Sequence, residues 1–262
     1  ATDRVALFSL RGPIDRPDWT QGHKSRICVP LTYMLVRPGG SRDRQLLWGT
    51  DVTVIETRGA HAFVQSDADG YCGWIDATTL GMDRPQLTHR VTAAATHVYP
   101  APDMKTRELC SLSLGSRLTV TGIKNGFASL SSGGFVPVQH IAQDPATDPV
   151  MVAEILLGTP YLWGGNSTWG IDCSGLVQMA LLACDQACPA DSDLQQAAFP
   201  RTDRIERGDL LFWPGHVAMA VSDEVMIHAT AWKMSVILEP IASAITRIDA
   251  SGDGPFLGAH RP

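Results

Sequence analysis

Between residues 25 and 80 the apolar positions fall in short runs: 29–36, DVTVIET at 51–57, HAFVQ at 61–65 and GYCGWI at 70–75. Turn signals such as RPGG at 37–40 and DADG at 67–70 separate them, so the spacing predicts β-strands in a meander. A second stretch, 88–143, repeats the pattern. RPGG aligns with YPAPD at 99–103, WGTDVTVIE at 48–56 with LGSRLTVTG at 114–122, and DGYCGWI at 69–75 with GGFVPVQ at 133–139. Two copies of one small all-β unit explain this better than two unrelated meanders, and units of this size suit five- or six-stranded barrels.

QDPATDP at 143–149 reads as a linker, and the texture changes after it. VMVAEILLG at 150–158 has helical apolar spacing and stops at a glycine; SGLVQMALLAC at 174–184 is a second helix. Strand-like runs follow at 209–213, 216–221, 224–229 and 235–240, and IASAITRI at 241–248 reads as a last helix. Helices first and an antiparallel meander afterwards is an α+β pattern. The expected organisation is an extension over 1–24, all-β units over 25–82 and 86–143, and an α+β domain over 150–262.

Composition narrows the function. A chain of 262 residues with 44% hydrophobic and 18% charged residues sustains packed cores. A net charge of −6 without a Lys/Arg-rich run argues against nucleic acid as a partner. No stretch approaches the ~18 apolar residues of a membrane span. The six cysteines are scattered, so free thiols in a reducing compartment are expected. Cys184 and Cys188 lie four apart, but no further ligand stands near them, so neither metal nor cofactor is expected. The first residues carry Asp3 and Arg4 and an apolar run too short for a secretion signal. A cytoplasmic monomer is therefore expected, with a periplasmic or secreted location as the alternative if a signal preceded Ala1.

The candidate chemistry lies in the third segment. In GIDCSGLVQ, Asp172 or Cys173 caps the following helix, and helix-start amides favour thiolate over thiol. Cys184 and Cys188 open no helix and read as structural. His216 begins HVAMAV after the WPG turn, and His228 ends EVMIHA. On adjacent antiparallel strands their rings reach one face, which suits a cysteine, a base and an orienting group. The other six histidines have no such context.

PYLWGG at 160–165, GIDCSGL at 170–176, RGDLLFW at 207–213, GHV at 215–217 and IHA at 227–229 together resemble the NlpC-type papain-like cysteine peptidases of bacterial cell walls. The resemblance implies that Cys173 is the nucleophile, His216 the base and His228 its orienting partner. It implies that Tyr161 helps hold the oxyanion with the Cys173 amide, and that Asp172, Ser174 and Trp163 line the site. A closer resemblance is to the subgroup with bacterial SH3-like domains in front, γ-D-glutamyl-L-diamino-acid endopeptidases acting on peptides with a free N-terminal L-Ala. That implies two SH3-like barrels ahead of the peptidase, and a muropeptide, L-Ala-γ-D-Glu-diaminopimelate, as partner. The subgroup's pocket segment reads PADSD here, which brings in Asp191 and Ser192; a carboxylate suits an α-ammonium group, and either residue also suits a helix N-cap. Tyr71 of GYCGW is expected to close over the ammonium, and its counterpart in the second unit is Phe135. Members commonly carry Gly-Glu where this chain has Gly49-Thr50-Asp51, so Asp51 is the stand-in for the missing acid. Rival readings are a secreted hydrolase of intact wall that uses its SH3-like domains as anchors, an inactive binding module, and an acyltransferase on the same fold.

Overall fold

The computed structural model describes residues 1–262 and divides into two compact units, Ala1–Gln143 and Asp144–Pro262.

The first unit is all β apart from three single-turn 3-10 helices. A seven-stranded antiparallel sheet runs in the order Arg42–Leu47, Leu31–Leu35, Cys72–Asp76, His61–Ser66, Asp51–Arg58, His23–Ile27, Leu80–Gly81. Ile27, Met34, Leu46, Val52, Val54, Ala62, Val64 and Ile75 meet inside it as one apolar cluster. Two of these strands extend the sequence reading. His23–Ile27 begins inside the expected extension, and Arg42–Leu47 has a polar first half that hides it. Residues 1–24 are also not unstructured: Val5–Leu7 pairs in parallel with Asp18–Thr20.

Residues 89–142 form three small antiparallel sheets around a separate cluster of Val91, Val98, Leu112, Leu118, Ala128, Leu130 and Val136. The two segments of this unit are physically joined. Trp48, from the first, packs against the second cluster, and its carbonyl accepts the Arg117 N–H at 2.9 Å. Gly49, at φ +83°, sits so close to the Arg117 carbonyl that any Cβ would overlap it. The glycine of the WGT motif is thus required by this approach as well as by its left-handed backbone.

The second unit has four helices, α1 Pro149–Glu154, α2 Cys173–Ala183, α3 Ser192–Ala198 and α4 Ile241–Ser251. Its sheet has six antiparallel strands in the order Arg201–Thr202, Gly258–His260, Leu210–Trp213, His216–Ala220, Val225–Thr230, Ser235–Pro240. α1 is shorter than its apolar pattern predicts. After Glu154 the chain tightens into turns (Leu156 N–H to Ala153 O, Thr159 N–H to Leu156 O), and Gly158 is left-handed. α2 is buried along most of its length, with Leu176, Val177, Ala180 and Leu181 at 1% exposure or less. Burial on nearly all sides explains why its sequence shows little amphipathic contrast.

Candidate active site

Asp172 is the N-cap of α2 and accepts the Gly175 N–H at 2.7 Å through Oδ1. Its other oxygen accepts the Gly164 N–H at 2.8 Å, and Ser174 donates its hydroxyl to Oδ1 at 3.2 Å. One carboxylate thereby ties PYLWGG to GIDCSGL. The glycines of both motifs make room for this: a Cβ on Gly175 would overlap the Gly165 carbonyl.

Cys173 is the first residue of the helix and only 7% exposed. Its sulfur lies 4.0 Å from the Gly215 carbonyl, and the backbone N–H groups of Val217, Ser174 and Cys173 itself favour its charged form. Burial outweighs them, and the adjacent Asp172 carboxylate works in the same direction, so the thiol is pushed up to about 12. The helix-start amides favour the thiolate, as the sequence reading has it, and burial together with the capping carboxylate opposes them. The capping carboxylate offsets the positive end of the helix that was expected to stabilise it.

His216 and His228 stand on adjacent strands. Met219 pairs with Ile227 and Ala220 with Met226, which places the two histidines diagonally on one face. His216 Nε2 and His228 Nδ1 are 2.9 Å apart. His228 is completely buried, and burial is the first cause lowering both imidazoles, His216 to about 3 and His228 to about 4. Both rings are neutral at pH 7. With Nε2 committed to His228, Nδ1 is the ring nitrogen of His216 left for a thiol.

Sequence reasoning missed what lies behind His228. Its Nε2 is 3.1 Å from Glu239 Oε2, close but not aligned as a straight hydrogen bond. Glu239 is 6% exposed and accepts two N–H groups from Arg247, at 2.9 and 2.8 Å. Arg247 comes from α4 and lies 4.3 Å from the ring centre of Trp232. The strand pairing puts Glu239 opposite Met226, two residues before His228, hence on the same face.

The remaining expected residues are distributed as follows. Tyr161 is half-buried, its phenol pushed up by burial and by the nearby Cys173 and Asp172 charges. Its backbone N–H donates to Met234 O at 2.9 Å. Trp163 is 69% exposed, a large apolar surface on the same motif. Asp191 holds the N-cap position of α3, where its side chain makes no capping bond, and Ser192 begins the helix. In the first unit, the Tyr71 hydroxyl donates to Asp43 at 2.9 Å, and the Arg44 guanidinium lies 5.3 Å from the ring centre. Asp51 accepts hydrogen bonds from Arg26 at 2.9 Å and from Arg84 at 3.2 Å. These two guanidiniums hold its carboxyl below the usual range although burial opposes them. The charge of Asp51 is thus already matched within its own unit. No group of three or more His, Cys, Asp or Glu side chains is arranged to hold a metal, and no helix is long and apolar enough to cross a membrane.

Cys173 at the start of α2 and the contacting imidazoles of His216 and His228 are the residue types that a nucleophile, a base and an orienter require. Residues 158–248 match the NlpC/P60 family, and residues 34–80 match the bacterial dipeptidyl-peptidase Sh3 domain. The chain is 26% identical to a gamma-D-glutamyl-L-lysine dipeptidyl-peptidase of Bacillus cereus, over 90% of this chain and 80% of that protein. A Bacillus subtilis protein of the same name is 27% identical over 77% of this chain and 76% of its own length. Dipeptidyl-peptidase 6 of Lysinibacillus sphaericus is 42% identical over 31% of each. Among solved structures, an NlpC/P60 family protein from Bacillus cereus superposes with a TM-score of 0.77 at 22% identity, covering 91% of this chain and 99% of that one, which supports the fold. Residues 158–248 therefore form an NlpC/P60 domain and residues 34–80 a bacterial Sh3 domain, and the chain is a cysteine peptidase.

Proposed function

We propose that this peptidase cleaves the amide between the γ-carboxyl of D-Glu and a diamino acid in small muropeptides that begin with a free L-Ala. The observation that carries the reading is the 2.9 Å contact of His216 Nε2 with His228 Nδ1, which leaves the other ring nitrogen of His216 to accept the Cys173 proton. The names of the Bacillus cereus and Bacillus subtilis relatives supply the bond.

Because thiol and imidazole are both neutral at rest, proton transfer accompanies attack. As the sulfur adds to the γ-carbonyl, its proton passes to His216 Nδ1. The oxyanion forms beside the Cys173 amide, whose N–H has no intrahelical partner, with Tyr161 as the second donor. Collapse breaks the C–N bond, and His216 returns the proton to the leaving amine. Water then attacks the thioester with His216 again as base, releasing L-Ala-D-Glu and the thiol. We assign the ammonium of L-Ala to Asp191, since a desolvated ammonium requires a carboxylate. Both all-β segments of the first unit are, in this reading, SH3-like modules that serve substrate selection and not wall anchoring.

Mass spectrometry of products from L-Ala-γ-D-Glu-diaminopimelate and its N-acetylated form tests this. Cleavage between D-Glu and the diamino acid in the free peptide alone is expected. Equal cleavage of both would favour a general wall hydrolase.

A further inference from the structure

We infer that Glu239 and Arg247 are a positioning pair that sets which nitrogen of His216 carries its hydrogen, and so decides whether that ring can accept the Cys173 proton. The inference rests on the acyl-transfer reading only in taking His216 as the base.

Glu239 is nearly inaccessible and lies between the Arg247 guanidinium and the His228 ring. A carboxylate that accepts two guanidinium N–H groups is ionised, and an ionised carboxylate only accepts. The hydrogen at the 3.1 Å contact therefore sits on His228 Nε2. A neutral imidazole has one N–H, so His228 Nδ1 is a lone pair. Across the 2.9 Å contact it accepts from His216 Nε2–H. His216 Nδ1 is then the second lone pair in the chain, ready for the thiol. Through the two rings Glu239 acts on the nitrogen that would take the Cys173 proton.

Arg247 has the opposite duty. Glu239 alone would draw a second proton onto His228. Its Nδ1 would then carry a hydrogen and donate to His216 Nε2, driving the hydrogen of His216 to Nδ1, where it blocks the thiol. The guanidinium offsets the carboxylate and keeps His228 singly protonated. The other groups acting on this pair are few. Trp213 faces His216 at 5.8 Å between ring centres, the Asp253 carboxylate favours the charged form of His216, and Arg247 opposes the charged form of both rings. Trp232 covers Arg247 on one side, with the Lys233 ammonium 4.1 Å from the indole centre.

The test uses the full chain and needs no muropeptide. Alkylation of Cys173 by iodoacetamide at neutral pH is followed by peptide mass spectrometry. The ring tautomers are read from the 15N spectrum of histidine-labelled protein. Glu239→Leu is expected to slow alkylation about tenfold or more, as loss of a positioned base does, and to turn His216 into a mixture of tautomers. Glu239→Gln, which keeps an acceptor oxygen, is expected to restore most of the rate. Arg247→Met is expected to move the acid-side loss of alkylation to higher pH. A folded Glu239→Leu protein with wild-type alkylation and an unchanged His216 tautomer overturns the inference. If that variant does not fold, an unmoved acid limb in Arg247→Met overturns it. Should the wild type leave muropeptides intact while the variants behave as expected, the substrate reading fails and the positioning pair stands.

Discussion

Both units bury ionisable side chains, and they resolve the cost differently. In the first unit the buried charges close on each other. Arg44 and Asp69 form a pair with side chains 10% and 1% exposed, Arg26 holds Asp51, and Arg58 together with Arg4 surrounds Glu56. Each ends in an arginine, a permanent charge that cannot relay a proton. In the second unit Arg261 closes on the buried Asp209 in the same way, but behind Cys173 only the far end is closed, by Arg247 on Glu239. From there inward the groups are two imidazoles and a thiol, each kept neutral by burial. Closed pairs hold a fold together, whereas two contacting imidazoles with a free ring nitrogen at the end leave somewhere for a proton to go.

The strongest break of this contrast is at the sulfur. Cys173→Ala is expected to abolish hydrolysis with little change in melting temperature, while Cys184→Ala and Cys188→Ala keep activity; retained turnover in Cys173→Ala would end the mechanism. In the first unit the matching experiment has the reverse signature. Arg44→Met leaves Asp69 buried without its guanidinium, and is expected to cost about 3–5 kcal/mol of stability by denaturant unfolding. His228→Ala comes next, lowering kcat by about 10²–10⁴ with KM nearly unchanged, since it acts on the base. A change confined to KM would make His228 a substrate ligand instead.

Acid titration sharpens the contrast further. His216 and His228 bind protons less readily folded than unfolded, with values near 3 and 4 against 6.5. The unfolded chain then takes up more protons, and stability falls as pH drops from about 6.5 towards 3. His228→Phe should flatten part of that slope in urea midpoints measured between pH 7 and 4. The smallest expected effect belongs to Tyr71→Phe, which removes only the hydroxyl bonded to Asp43. It is expected to raise KM for free-Ala peptides a few-fold without changing kcat, and an unaltered KM would leave Tyr71 to packing.

The placement of Cys173 at a helix start and of His216 and His228 on neighbouring strands was legible because the signals are local. A cap, a turn and alternation place Cys173, His216 and His228 within a few residues of recognisable punctuation. Glu239 was not legible, because its place depends on the register of a hairpin. Thr230 pairs with Ser235 across AWKM, a four-residue loop with no Asn-Gly or Asp-Gly signal, so the partner of each residue cannot be read from sequence. The run SVILEP also misleads: Leu238 is 46% exposed and Glu239 buried, the reverse of what hydropathy suggests. Arg247 depends in turn on where α4 packs. Gly258–His260 escaped for another reason, being three residues that gain strand character only by lying between Arg201–Thr202 and Leu210–Trp213. The opposing effect of the carboxylate that caps the helix start was not legible, because it depends on how closely that side chain lies to the sulfur.

Trp48 carries a further consequence. The duplication in the sequence invites a cut between the two all-β segments, yet the indole belongs to the apolar cluster of the segment it does not come from. Separating them would strand a tryptophan in water and remove the partner of the Arg117 amide. Melting of the two segments should therefore be a single cooperative event. Sequence pattern and thermodynamics draw the boundary of a module in different places here: the repeat suggests a seam, and heat is expected to find none there.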